Sequence, residues 1–363
     1  MSSQMSVKQV IKASLLRWMT YKRTKKIVGT PKKILFLRYD RIGDMVITTP
    51  VFREFRKAYP NSEIYVLASK TNSEIIKFNP YINQIFINHK HSFISDLPAL
   101  FKLRKLQIDI AIEFDHSVVP HAILRLKIIN PNKVISVRKD GRYGVSGEEL
   151  KLYDQYSNRA QDAHARDTWL KTIESYIGKI TNRNYEIFLN NESIVKSEEF
   201  IKQLELDSEF LIGFNLEGAV KGKKIHFTDF KELANHIRKI SPEVQIVLFC
   251  HPEKRDSLNK EIETANLTNV CLSYPTYSII DLCALIMKMN LVITPDTSVV
   301  HIASAFDIPI ISIHENNLKS FQLFKPQSSI SRTVFSEESD SLNGFKIKEV
   351  LKFFKEIMNI LGK

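Results

Sequence analysis

The sequence predicts an α/β protein built as two parallel-sheet domains in tandem, and three observations carry that expectation. Short apolar runs alternate with segments of helical periodicity, the rhythm of a parallel sheet covered by helices. The rhythm lapses near the middle of the chain and then restarts, which divides it into two sets. The 363 residues, 44% of them hydrophobic, can bury two ordinary cores, and two domains are expected over one very large core.

In the first set, strand candidates Ile34–Leu37, Ile64–Leu67, Ile85–Ile87, Ile108–Ile112 and Val134–Val137 alternate with helical patterns around 51–58, 72–78, 94–105 and 119–129. Ile34 to Leu37 is short, apolar and bulky throughout, as a strand buried on both faces must be. It runs into Tyr39-Asp-Arg-Ile-Gly-Asp44, where Gly43 allows a tight turn. Asp44 is thereby delivered to the edge at which open α/β sheets bind ligands. The next helix carries apolar Val46, Val51, Phe52 and Phe55; Pro50, tolerated only in a first turn, sets its expected start nearer Thr48 or Thr49 than Asp44. Lys139 to Asp162, polar and bearing Gly141, Gly144 and Gly147, reads as a mobile loop over a site. A helix near 167–177 and a short strand Ile187–Leu189 then lead to the charged segment 190–207, where the domain junction is expected.

The second set repeats the pattern, with strands at Phe210–Phe214, Ile246–Phe249, Val270–Leu272, Leu291–Thr294 and Ile308–Ile313 and helices near 229–240, 254–265, 278–288 and 298–305. An amphipathic helix near Ile347–Leu361 closes the chain. The expected division is a basic extension over 1–32, a first domain over 33–195, a second over 208–340, and a C-terminal helix within 345–363 packing back towards the N-terminal domain. Two similar domains imply a cleft. In the second, Leu291–Thr294 turns through Pro295-Asp-Thr-Ser298 into a helix that Asp296 or Thr297 is suited to cap. Its free amides suit a phosphate, held by Thr297 and Ser298, although a plain capped helix has the same spacing. His301, one turn on, reads first as a packed, hydrogen-bonded histidine and only second as a ligand contact.

The net charge of +12 is unevenly placed, since residues 1–33 hold nine Lys or Arg and no acid, leaving 43 basic against 40 acidic residues elsewhere. Val7, Ile11, Leu15 and Trp18 fall at helical spacing among Lys8, Lys12, Arg17, Lys22, Arg23, Lys25 and Lys26. Such a basic amphipathic helix suits an anionic bilayer surface, with a helix docked on its own protein or a solvated tail as the plainer readings. No nucleic-acid motif accompanies the charge. Lys8, Lys12 and Arg17 interrupt any signal-peptide core, and no apolar run reaches 18 residues, so a chain that stays in the cell without spanning a membrane is expected. Cys250, Cys271 and Cys283 lack the spacing of a zinc or disulfide framework, which suits a reducing cytoplasm. No Asp-x-Asp pair, H-E-x-x-H or glycine-rich phosphate loop asks for a metal, and no G-x-G-x-x-G follows the first strand, against a nicotinamide dehydrogenase.

Ile34 to Pro60, with Arg38, Gly43, Asp44 and Pro50, resembles the N-terminal signature of glycosyltransferase family 9, the ADP-heptose:lipopolysaccharide heptosyltransferases. Pro295-Asp-Thr-Ser-Val-Val-His301-Ile-Ala-Ser-Ala305 with Ile308-Pro309 is similar to that family's Asp-Thr-Gly-x-x-His-x-x-Ala-Ala segment, and the resemblance spans residues 33–313. It implies a GT-B fold of two Rossmann-like domains facing a central cleft, with the nucleotide sugar on the C-terminal domain, the acceptor on the N-terminal one, and inversion at the anomeric carbon. Asp44 matches the family's catalytic base, as an inverting transfer requires. The family also places a lysine early in the second domain against the leaving diphosphate, which selects Lys224 among Lys221, Lys223 and Lys224, with Lys223 as the alternative register. Donor contacts are then expected from Asp296, Thr297, Ser298, His301 and Lys223, and acceptor contacts from Arg41, Gly43, Asp115 and His116. Ser298 stands where the family commonly has glycine, and His314-Glu-Asn-Asn317 replaces its usual Gly-Pro-Thr. The implied reaction is metal- and cofactor-free transfer of heptose from ADP-heptose to the Kdo-lipid A inner core, a lipid-linked saccharide, at the inner face of the cytoplasmic membrane. Another nucleotide sugar or surface glycan, a non-catalytic glycolipid-binding protein, and a sugar-nucleotide epimerase are the alternatives.

Overall fold

The computed structural model describes residues 6–21, 29–89, 92–158, 163–204, 210–218 and 222–363. Lys22, Arg23, Lys25, Lys26 and Lys221, named above for their charge, lie outside the described residues. The chain divides into two compact units, Met1–Ser73 with Asn79–Arg183, and Glu74–Phe78 with Asn184–Lys363.

In the first unit, strands β1 (Lys33–Arg38), β2 (Glu63–Ser69), β3 (Gln84–Asn88), β4 (Ile110–Glu113), β5 (Lys133–Val137) and β6 (Gln155–Ser157) form a parallel sheet in the order β3-β2-β1-β4-β5-β6. Its helices are α1 (Val7–Thr20), α2 (Ile42–Ala58), α3 (Lys70–Ser73), α4 (Phe93–Leu106), α5 (Pro120–Ile129) and α6 (Ala165–Ile177). The second unit holds α7 (Asn191–Gln203), then β7 (Leu211–Asn215), β8 (Gln245–Phe249), β9 (Val270–Leu272), β10 (Leu291–Pro295), β11 (Ile310–His314) and β12 (Ser331–Phe335) in the order β12-β11-β10-β7-β8-β9. Its remaining helices are α8 (Phe227–Ile240), α9 (Arg255–Thr264), α10 (Ile279–Ile286), α11 (Ser298–Ala305), α12 (Leu318–Phe324) and α13 (Ile347–Ile360). The two strand orders are the same order read from opposite ends. Each reverses between its first and fourth strand, and ligands of open α/β sheets bind outside the carboxyl ends at such a reversal. Those edges are the ends of β1 and β4 in one unit and of β7 and β10 in the other.

One face of the first sheet builds the floor of its edge. Phe36 of β1 packs edge-on against Phe52 and Phe55 of α2 and stacks on Phe114 after β4, which leans on Trp169 of α6. The aromatic rings fix α2 and α6 on the sheet, and aromatic pairs of this kind contribute about 1 kcal/mol each beyond their burial.

The helix α2 begins at Ile42, earlier than Pro50 led us to expect, so Asp44 lies in its first turn. Pro50 removes the N–H that would reach the Val46 carbonyl, and the Thr49 hydroxyl donates to that carbonyl instead at 2.8 Å. The expected loop over 139–162 contains β6 and is pinned by buried Val145, Leu150, Leu152 and Tyr153. Residues 187–189 are not a strand, and the boundary falls at Arg183–Asn184, earlier than expected, because α7 packs on α10 of the second unit. The C-terminal helix was expected to pack back towards the first domain. Its apolar side, Val350, Leu351, Phe354, Ile357 and Met358, instead joins the second unit's own core beside α8, β11 and β12.

The helix α1 is docked on its own unit and leaves an apolar ridge outside. Ala13, Leu16 and Thr20 are buried, the first two in the core cluster that includes Ile123 and Leu126 of α5. On a 3.6-residue turn, Val7, Ile11, Leu15 and Trp18 fall opposite that stripe. Val7 and Trp18 are accordingly 76% and 73% exposed.

Candidate active site

At the edge of the first sheet, Arg38 ends β1 and turns its guanidinium back over the aromatic floor, 3.9 Å from the Trp169 ring centroid. Three carboxylates converge on it, Asp40 at 3.0 Å, Asp44 at 3.2 Å and Asp115 at 4.0 Å. The Arg38 side chain is 4% exposed, so the cation is buried, while the carboxylates of Asp40, Asp44 and Asp115 each reach solvent in part, at 32%, 18% and 25%. Asp44 is further steered by the Arg41 amide, which donates to its second oxygen at 3.4 Å. Gly43, beside it in the first turn, is buried.

Behind Arg38 lies a second pair, Lys139 and Glu113 at 2.9 Å, both fully buried. Lys139 also donates to the Asp115 carbonyl and sits over the Tyr153 ring. Burial, and then the Glu113 charge, push the Asp115 carboxyl above its ordinary range, against the pull of Arg38 and Lys139. His116 follows Asp115; its carbonyl accepts from the Asp140 amide at 3.0 Å, and the residue helps line a cavity of 540 Å³ with Arg138, Lys139, Asp140 and Ser146. Asp44 and Asp115 are thus brought to one cation, while His116 belongs to this neighbouring cavity.

At the edge of the second sheet, β10 delivers Pro295 and Asp296, and Thr297 caps α11 by accepting from the Val299 amide at 3.2 Å. Asn215, ending β7, donates to the hydroxyls of Thr294 at 3.1 Å and Thr297 at 3.3 Å, which ties the first and fourth strands of this sheet at their reversal. Ser298 opens the helix, and His301 is buried one turn in, edge-on to Tyr185. Lys223 reaches Asp296 at 3.4 Å and Glu315 at 2.5 Å. Its backbone lies so close to Gly218 that a side-chain carbon there would come within 1.6 Å of the Lys223 carbonyl, so only glycine fits. Lys224 points elsewhere, half-exposed and 3.5 Å from Glu217, which also holds Lys254. The lysine brought to the Asp296-Thr297-Ser298 loop is therefore Lys223, the alternative register.

The residues missed from sequence are the partners. Arg38 was part of a motif without a role of its own, and the signal was a cation ending a strand buried on both faces. His314 and Glu315 were read only as a departure from a family pattern. His314 ends β11 and Glu315 follows it; His314 lies 3.9 Å from Asp296 and against Phe321, and burial lowers its proton affinity.

The model of glycosyltransferase family 9 (heptosyltransferase) matches residues 100–350. Among curated proteins, the lipopolysaccharide core heptosyltransferase OpsX of Haemophilus influenzae is 24% identical over 301 residues, covering 78% of this chain and 79% of its own. Among solved structures, a family 9 glycosyl transferase from Veillonella parvula superposes with a TM-score of 0.74 at 18% identity, covering 91% of this chain and 97% of its own. The E. coli heptosyltransferase WaaC with ADP superposes with a TM-score of 0.69 at 14% identity, over 89% of this chain and 97% of its own.

Proposed function

This chain belongs to glycosyltransferase family 9 and is a glycosyltransferase of GT-B fold, and from that premise we propose that it transfers heptose from ADP-heptose to the Kdo-lipid A inner core of lipopolysaccharide. The observation that carries the reading is Asp44, a partly exposed carboxylate in the first turn of α2 at the reversal of the first sheet, held by a buried arginine. In the proposed step, an acceptor hydroxyl oxygen attacks the anomeric carbon as the bond from that carbon to the diphosphate oxygen breaks. Asp44 takes the hydroxyl proton, and the electron pair leaves on the nucleoside diphosphate. Lys223 and the amides at the start of α11 meet the charge that grows on the leaving oxygen, so no metal is needed for it. The donor sugar and nucleotide are taken from what the similar heptosyltransferases are said to act on and to hold.

The acceptor is lipid-linked in this reading, and α1 supplies a surface for the bilayer that carries it. Its exposed ridge of Val7, Ile11, Leu15 and Trp18 is flanked by Lys8, Lys12 and Arg17 in a segment without acids. No helix among the described residues is long and apolar enough to cross a membrane. We place the protein at the cytoplasmic face as a peripheral enzyme.

The test is to incubate purified protein with a panel of nucleotide sugars and a Kdo-lipid acceptor. Acceptor-dependent release of ADP from ADP-heptose, and from no other donor, is the expected result. Release from a different nucleotide sugar would keep the chemistry and replace the donor; no transfer from any donor to any lipid-linked saccharide would reject an enzymatic role.

A further inference from the structure

Lys223 is held by two carboxylates that differ in their access to solvent. Asp296 and Lys223 are both 18% exposed at the side chain, whereas Glu315, the nearer partner at 2.5 Å, is 7% exposed. Its second oxygen is buried with no hydrogen-bond partner among the described residues. A buried carboxylate oxygen left without a donor is a standing cost to the fold, and such groups are uncommon outside sites where they serve a purpose. The three side chains together carry one net negative charge around the cation that is to meet a diphosphate.

We propose that Glu315 is a built-in competitor for Lys223, a positioning residue that weakens the grip on a diphosphate so that the nucleoside diphosphate product can leave. Glu315 holds the ammonium beside Asp296 and offsets its charge. A diphosphate must share the lysine with a carboxylate that cannot turn away, because its own oxygen is enclosed by protein. The attraction is enough to stabilise charge developing in the transition state, and the finished product is bound less tightly than an unopposed lysine would bind it. The inference rests on Lys223 being the diphosphate's counter-charge.

The experiment is a double-mutant cycle read by calorimetric titration with inorganic pyrophosphate, which has the diphosphate charge and no base, and repeated with ADP. Glu315→Gln keeps the shape and removes the charge; it is expected to tighten pyrophosphate binding about fivefold, the scale of one partly exposed ion pair. Glu315→Ala repeats the measurement with a smaller side chain, and thermal melts establish that each variant is folded. On a Lys223→Ala background the same changes should be silent. In turnover, Glu315→Gln should lower the inhibition constant of ADP more than the donor KM. Unchanged or weaker pyrophosphate binding in both Glu315 variants, with Lys223→Ala still weakening it, overturns the competitor and leaves the lysine's role intact. If Lys223→Ala leaves pyrophosphate binding unaltered, the lysine assignment fails and the competitor with it.

Discussion

The two units share one strand order and gather different side chains at its reversal. In the first, a buried arginine gathers Asp40, Asp44 and Asp115, so that what reaches solvent is carboxylate held on a buried cation. In the second, a buried glutamate holds a lysine that reaches solvent to the same degree as its other partner, Asp296. The strand ends explain the difference. The first and fourth strands of the first unit end in Arg38 and Glu113, with Asp115 just beyond. Their counterparts end in Asn215 and Pro295, and the charges come from the neighbouring strand end and from a loop drawn tight by Gly218. A common topology therefore settles where chemistry takes place, and the residues just past each strand settle its sign. In the proposed transfer the first unit supplies the proton acceptor, Asp44, and the second the counter-charge for the leaving group, Lys223.

The comparison breaks first at Asp44. Asp44→Asn removes the charge and keeps the shape, and turnover should fall about a thousandfold with donor binding nearly unchanged, as expected on loss of a general base. Single-turnover rates beside donor titrations test this. A variant with near-normal turnover would take the base assignment away from the first unit.

The next effect concerns what lies beneath the carboxylates. Arg38→Ala leaves three acids without their cation and an unfilled space over Trp169, and should cost about 3 kcal/mol in urea unfolding, since breaking a buried pair strands the remaining charge. Arg38→Lys should restore part of the stability and little of the turnover, because an ammonium cannot serve three carboxylates and stack on an indole at once. Full recovery of activity with lysine would reduce Arg38 to a charge and remove its part in aiming Asp44.

A smaller effect should come from α1, which only the first unit possesses. Leu15→Glu with Trp18→Glu changes the exposed ridge and leaves the docked Ala13–Leu16–Thr20 stripe in place, which deletion of the helix would not. Binding to phosphatidylglycerol vesicles should weaken about tenfold, with activity on a soluble acceptor preserved. Vesicle binding that survives the double change would leave the ridge without a partner.

Much of this arrangement was legible before any coordinates. Both sheets, the turn carrying Asp44 and the Asp296-Thr297-Ser298 helix start follow from apolar runs bounded by turn residues, a signal local to each element. The edge strands Gln155–Ser157 and Ser331–Phe335 were not legible, being short or polar and half-buried. The true start of α2 was hidden because a hydroxyl one residue before Pro50 replaces the missing donor. Choosing between Lys223 and Lys224 was beyond sequence for another reason: adjacent residues leave the backbone in different directions, and the direction here is set by the contact of Gly218 with the Lys223 backbone. The ion partners of Asp44 and Lys223 come from strand ends that are neighbours only once the sheets form.

The smallest effect tests whether the first edge carries an excess of negative charge. Asp115 has its proton affinity raised by burial and by Glu113, more than Arg38 and Lys139 lower it. A carboxyl that binds its proton more tightly in the folded state stabilises the fold in acid and loses that contribution as pH rises from the ordinary carboxylate range through the raised one. Asp115→Asn does not titrate, so its melting temperature should match that of the wild type most closely in acid and exceed it by a small margin at neutral pH. Melting curves from pH 3 to pH 8, which span the ordinary carboxylate range and the region above it, decide the matter, with the larger gain expected at pH 8. If the asparagine variant is instead the less stable one at pH 8, attraction to Arg38 outweighs the crowding of acids. The first edge would then be a balanced ion cluster rather than a negative one, and its contrast with the lysine of the second unit would rest on Asp44 alone.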